Sequence, residues 1–208
     1  PSSLRHWVNV NSGPHTAHVT GWAFDEGSLL KDEALGRHIM RGLDTSLPIT
    51  DILMRLNGNF AVVVVGPDRV HIGVDVIRSI PLFYRWEGEC LTVSDDARQL
   101  MDGPTTVDRD SAIEFAAAGF VTGRHTLFHE ISGLQTGECV TWRAGSESPE
   151  TERYYLYTCS YDSDSSIDDL CEVLDETMTS VFRRMIDTLD GRQVVVPLSG
   201  GLDSRLLA

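Results

Sequence analysis

The six residues Ser199-Gly200-Gly201-Leu202-Asp203-Ser204 bring paired glycines, two hydroxyls and a carboxylate together near the end of the 208-residue chain. An apolar run, Gln193-Val194-Val195-Val196-Pro197-Leu198, precedes them, and Arg205-Leu206-Leu207-Ala208 starts like a helix. Such a short run is of the type that forms a buried parallel strand. Strand, glycine-rich turn and helix N-terminus make a geometry that holds phosphates. Glycines let the backbone approach closely, free amides point inward, and the helix dipole favours negative charge. The hydroxyls of Ser199 and Ser204 can donate to phosphate oxygens. No Gly-Lys-Ser/Thr follows, so this is not the Walker loop. A Gly-Gly turn without a ligand is the alternative, and the flanking strand and helix weigh against it.

Other reactive residue types are less organised. The pairs His15/His18 and His125/His129 invite a metal reading, which short motifs often do by chance. Residues 125–131 read as extended, which sets positions four apart about 13 Å from each other, too far for one ion. Cys90, Cys139, Cys159 and Cys171 are widely spaced, contain no Cys-x-x-Cys pair, and read as reduced core thiols. Trp7, Trp22, Trp86 and Trp142 read as core or interface aromatics rather than a ligand cage.

The elements that must position these groups are legible from periodicity. Apolar or alternating runs at 4–10, 17–24, 60–65, 70–74, 82–86 and 91–93 read as strands. Asn11-Ser12-Gly13-Pro14, Gly66-Pro67-Asp68 and Glu87-Gly88-Glu89 punctuate them, the second as a hairpin turn. Helices are expected at about Leu29–Leu43, at about Ile49–Leu56, and after Asp108, where Ala112, Ile113, Phe115 and Ala116 form an apolar side. This pattern predicts an α+β domain of antiparallel β layers flanked by helices over residues 1–158. Residues 159–166 read as a linker, and 167–208 as the start of a second domain. There Ile167, Leu170, Cys171, Leu174, Met178, Val181, Phe182, Met185, Ile186 and Leu189 fall at steps of three and four, one face of a helix about six turns long. Ser166 is its expected N-cap, Asp168 and Asp169 favour its dipole, and Asp190-Gly191 stops it.

Composition narrows the function classes. With 41% hydrophobic and 23% charged residues, wholesale disorder is excluded. The net charge of −14, from 31 acidic against 17 basic side chains, repels nucleic acid at long range. No run approaches the about 20 apolar residues that cross a bilayer, and no secretory signal opens the chain, so a cytoplasmic location is expected.

The Ser-Gly-Gly-Leu-Asp-Ser segment resembles the pyrophosphate-loop signature of the ATP-pyrophosphatase superfamily, in the leucine version of asparagine synthetases. Further pieces are similar to that family in order and spacing. They are Leu56-Asn57-Gly58-Asn59-Phe60-Ala61, the stretch from Asp75 to Tyr84, and Gly123-Arg124-His125-Thr126-Leu127-Phe128 with Gly133-Leu134 and Gly137. Arg153-Tyr154-Tyr155 completes the set. The resemblance runs from about residue 20 onward. It implies an Ntn-hydrolase-like glutamine amidotransferase domain followed by the first helix, strand and pyrophosphate loop of an α/β synthetase domain. It further implies an AMP-forming ligase that uses ATP and Mg²⁺ to activate a small carboxylate for attack by ammonia or an amine. Leu198, Ser199, Gly200, Gly201, Leu202, Asp203 and Ser204 would contact the nucleotide.

The same resemblance marks departures. The family's glutaminase uses an N-terminal cysteine; here Pro1 opens the chain and the first cysteine is Cys90. The family's Asn-Gly-Glu strand is matched best by Thr20-Gly21-Trp22, and its glutamine-binding aspartate would fall near Gly36-Arg37-His38, where no acid stands. Val76 and Arg78 replace an arginine and a glycine, a change expected to reflect hairpin packing. These departures resemble the degenerate glutaminase domains of β-lactam synthetases and lasso-peptide cyclases. The expectation is a ligase with glutaminase activity lost, asparagine synthesis being the family default, whose 208 residues alone are inactive. The alternatives are an amide- or lactam-forming tailoring enzyme, or a non-catalytic module kept as a homodimer or partner interface with a relict loop.

Overall fold

The computed structural model describes residues 5–88, 90–159, 165–189 and 191–206. Expectations touching residues 1–4, Glu89, 160–164, Asp190 and 207–208 lie outside the described residues. They include Pro1, the middle of the linker and part of the helix stop. The chain divides into two compact units, Pro1–Thr158 and Cys159–Ala208.

Unit 1 is built on a seven-stranded antiparallel sheet. Its path is β1 (Val8–Ser12), β2 (His15–Asp25), β4 (Asn57–Val65), β5 (Arg69–Val74), β9 (Glu138–Arg143) and β10 (Glu150–Arg153), with β3 (Ser28–Lys31) also on β2. A second antiparallel sheet runs β7 (Cys90–Ser94), β6 (Phe83–Glu87) and β8 (Ile131–Gly133). Helices α1 (Asp32–Asp44) and α2 (Ile49–Met54) cover one face of the large sheet. There Leu35, Ile39, Ile52 and Leu53 bury against Val19, Phe60, Val62 and Val64. Because side chains alternate along a strand, the intervening Ala61 and the apolar positions Ile72 and Val74 of β5 face the other way. They meet Leu82, Tyr84 and Leu134 in a second core cluster. The result is the mixed, antiparallel architecture expected, in layers of helix, large sheet and small sheet.

Two sequence expectations change. The helix read over 29–43 begins only at Asp32, because Glu26 and Gly27 take φ of 47° and 82° and fold residues 28–31 back on β2 as a tight hairpin. Helix α3 (Arg109–Ala118) begins after Asp108 as expected, with the Asp108 side chain as its cap, yet of its residues only Ser111 is buried. Ile113 and Phe115 are exposed. Periodicity tells which residues share a face and not whether anything covers it.

The glycines of β2 and β4 are forced by their approach. Gly21 sits at φ 97°, and a Cβ there would lie 2.0 Å from the Asn59 carbonyl oxygen; one on Gly58 would lie 2.2 Å from that of Trp22. Asp75, directly after β5, is 1% exposed. Its carboxylate accepts from the N–H groups of Phe60 (3.1 Å), Ile77 (3.0 Å) and Ser79 (3.2 Å) and from the Ser79 hydroxyl. Its carbonyl accepts from Gly137 N–H, and the Tyr154 hydroxyl donates to the neighbouring Val74 carbonyl at 2.5 Å.

In unit 2, α4 (Ile167–Asp187) has Ser166 as its N-cap, as expected, and the cap is reciprocal. Asp169 N–H donates to the Ser166 hydroxyl (3.1 Å) and Ser166 N–H to the Asp169 carboxylate (3.1 Å). Residues 192–199 form no strand, contrary to expectation, since a strand needs a neighbour and the only elements described in this unit are α4 and α5 (Leu202–Leu206).

Replacing Asp75 by Ala strands several buried N–H groups and is expected to cost about 3–5 kcal/mol, Asn costing less, read by chemical denaturation. His71, on β5, has Nδ1 2.8 Å from Thr141 Oγ1. Burial, then the charges of Arg69, Arg143 and His15, pushes its pKa from 6.5 down to about 4. A folded pKa below the unfolded one means that the unfolded state binds more protons between these values. This contribution to stability is therefore intact above pH 6.5 and is lost as pH falls toward 4. Melting temperatures at pH 7.5 and 4.5 should fall further for the wild type than for His71→Asn.

Candidate functional site

The turn at 199–204 is compact. Ser199 N–H donates to Ser204 Oγ (3.1 Å), the two hydroxyls lie 3.0 Å apart, and Gly201 N–H donates to Ser199 Oγ (3.2 Å). Ser204 Oγ also lies 3.4 Å from the carbonyl oxygens of Ser199 and Gly201. Leu202 and Asp203 open α5, placing Asp203 in its first turn, and Leu198 is exposed. A Cβ on Gly200 would meet nothing within 4 Å, so the backbone is open on that side. The structure thus gathers Ser199, Gly201 and Ser204 into one hydrogen-bonded group beside an accessible glycine.

In unit 1 the resembling segments converge on one another rather than on a nucleophile. Phe60 N–H reaches the Asp75 carboxylate, Gly137 N–H reaches the Asp75 carbonyl, and Tyr154 N–H donates to the Gly137 carbonyl (2.8 Å). Burial and the Asp75 charge push the Tyr154 phenol well above its ordinary range, so its hydroxyl stays a donor. Arg78 adopts φ 55°, the left-handed region suited to the glycine it replaces, and its guanidinium stacks 5.7 Å over Phe83. That contact agrees with the packing reading of this loop.

No nucleophile is prepared among the described residues. Cys139 is buried and its thiol is pushed up to about 12 by desolvation, leaving it unreactive at neutral pH. Cys90, Cys159 and Cys171 are exposed, not core residues as expected, and none of the four forms a disulfide. Ser111, Asp108 and His129 lie together, but the carboxylate stands between hydroxyl and imidazole. It takes the Ser111 hydroxyl on one oxygen while His129 Nε2 is 3.6 Å from the other. A base must touch the nucleophile it activates, so this is a helix cap rather than a triad. No group of three His, Cys, Asp or Glu among the described residues could hold a metal.

The positions matched to the glutamine-binding strand and acid are structural. Gly21 closes against β4, Gly36 packs on Val10 and Val19, and Arg37 pairs with Glu33. His38 lies 3.3 Å from Asp25, whose other oxygen is 3.7 Å from Arg55. No motif marked this trio, which comes from three separate elements. Between the two sheets a cleft of about 660 Å³ is walled by Val63, Val65, Val70, Leu91 and Val93. Trp7 at its rim donates to Asp95 at 3.2 Å, while Trp86 and Trp142 have buried ring nitrogens, consistent with packing roles. No described helix is long and apolar enough to cross a membrane.

A family model described as a glutamine amidotransferase domain matches residues 48–155, from α2 through β10. Among solved structures, the glutamine phosphoribosylpyrophosphate amidotransferase of B. subtilis complexed with ADP and GMP is similar at 15% identity and a TM-score of 0.40. The match covers 71% of this chain and 31% of that one. A structure described as the allosteric regulatory enzyme of purine biosynthesis is similar at 14% identity and a TM-score of 0.40, covering 74% and 31%. The chain therefore spans about a third of the length of both, and likenesses this loose carry no inference. No curated protein matches the sequence. The family match takes in more than half of the chain, which accordingly belongs to the glutamine amidotransferase domain family.

Proposed function

We propose that the chain is the front part of an AMP-forming, ATP- and Mg²⁺-dependent amide ligase of the asparagine-synthetase type, whose amidotransferase unit is a scaffold that does not hydrolyse glutamine. The turn at 199–204 carries this reading. Its six residues fit a phosphate in type, and the paired hydroxyls, the Gly201 amide and an unobstructed Gly200 at the start of α5 support the reading. A pyrophosphate group would exchange the internal bonds of Ser199 and Ser204 for bonds to its own oxygens. Asp203 is the acid of the turn, and without a three-ligand cluster the Mg²⁺ would enter with the nucleotide phosphates. The nucleotide supplies activation of a carboxylate; Ser199, Gly201 and Ser204 orient its leaving group.

Loss of glutaminase activity is supported by the Gly36-Arg37-His38 segment, which lies in α1 and carries no acid. A glutamine carboxylate and ammonium buried without partners would cost several kcal/mol. The acceptor, whether aspartate or another small acid, and the nitrogen donor, ammonia or an amine, are assigned here only by class.

In the full-length protein containing this chain, ATP, Mg²⁺, ammonia and a matching carboxylic acid should yield AMP and pyrophosphate. Ser204→Ala should lower that rate by about tenfold or more. Glutamine as sole nitrogen source should release no glutamate. Absence of AMP with every acid tried, aspartate included, overturns the ligase reading; glutamate release overturns the scaffold reading.

A further inference from the structure

A basic recess lies in unit 1, far in sequence from the 199–204 turn. Where α1 ends and α2 ends, a recess of about 330 Å³ is lined by His38, Arg41 and Arg55, with Leu47 and Ile52 forming its apolar wall. Every ionisable group in that lining is basic, in a chain where acids outnumber bases 31 to 17. The larger recess of about 820 Å³ near His71 mixes Arg69 and Arg143 with Asp68, Glu150 and Glu152, and shows no such bias.

The convergence is built by packing. His38 and Arg41 are three apart on α1 and share a face. Arg55 follows α2 and is drawn to the same place by Asp25, which contacts His38 Nε2 at 3.3 Å and Arg55 Nε at 3.7 Å. The Asp25 side chain is 13% exposed and stays outside the lining, behind the two basic groups. Glu26 takes one terminal nitrogen of Arg55 at 3.3 Å, and Nη1 has no partner among the described residues. The Arg41 guanidinium makes no ion pair or hydrogen bond among the described residues. The Arg41, Gly42 and Leu43 carbonyls near the end of α1 accept from the N–H groups of Thr45, Ser46 and Leu47, so these cations are not needed to cap them.

We propose that this recess binds a small molecule through an anionic oxygen group, phosphoryl or carboxylate, with an apolar part against Leu47 and Ile52. The chain's net charge of −14 does not prevent this. Asp25 and Glu26 offset part of the charge of His38 and Arg55, so Arg41 supplies the unbalanced cation of the recess, and charges beyond about 8 Å are screened. Arg41 and Arg55 supply planar donors that match such oxygens, and Asp25 positions Arg55 and His38.

The test is a titration of the ¹⁵N-labelled chain with inorganic phosphate and, separately, with benzoate. The His38 ring and the Nε–Hε signals of Arg41 and Arg55 should shift and saturate. Saturation by phosphate alone assigns a phosphoryl ligand, by benzoate alone a carboxylate, and by both a shared anion site. Arg41→Ala and Arg55→Ala should each weaken binding about tenfold. Arg37→Ala, whose side chain pairs with Glu33 outside the recess, should not. Arg41 is exposed, so its variant should keep the wild-type melting temperature. Shifts that stay linear with both probes, or equal affinity in the wild type and Arg41→Ala, overturn the proposal.

Discussion

A buried carboxylate without a cationic partner organises unit 1. Desolvating Asp75 would cost several kcal/mol if its oxygens were unsatisfied, and three N–H groups and a hydroxyl from Phe60 and the 77–79 turn offset that cost. The same residue's backbone accepts from Gly137, which in turn holds Tyr154. One residue therefore joins β4 and β5 of the large sheet, the turn that leads into the small sheet, and the segment that closes the unit. The left-handed Arg78 inside this turn persists because the backbone on either side of it is fixed by the Asp75 carboxylate.

That arrangement explains why the segments that resemble the amidotransferase family occur together in this chain. The segments that resemble the family meet as hydrogen-bond partners within the scaffold, so they are under the constraint of folding. The positions matched to the glutamine-binding segment lie outside that group of bonds and make other contacts. Gly36 packs under Val10, and His38 turns toward Asp25. A fold can be retained for its sheets while its reactive residues are reassigned.

Much of this was legible beforehand. The strands at 60–65 and 70–74, the turn at Gly66-Pro67-Asp68, and the cap at Ser166 follow from side-chain alternation and from a short side chain that accepts a local N–H bond. These forces act within a few residues and leave a mark in the sequence. The boundary at Asp32 was missed because a two-residue turn with positive φ interrupted an otherwise helical pattern. The strand before Ser199 failed to form for the complementary reason: apolar β-branched residues favour extension, and pairing needs a second strand.

The sequence by itself determined the local elements, the antiparallel α+β class, and the six-residue turn with its paired hydroxyls, since each depends on neighbours along the chain. Only the tertiary structure decided that Ile113 and Phe115 stay uncovered, and that Cys139 alone of the four thiols is buried. It also decided that His38, Arg41 and Arg55 enclose one recess beside Asp25. Those outcomes depend on which surfaces of distant segments meet, and burial and electrostatic convergence are properties of that meeting rather than of any single stretch of chain.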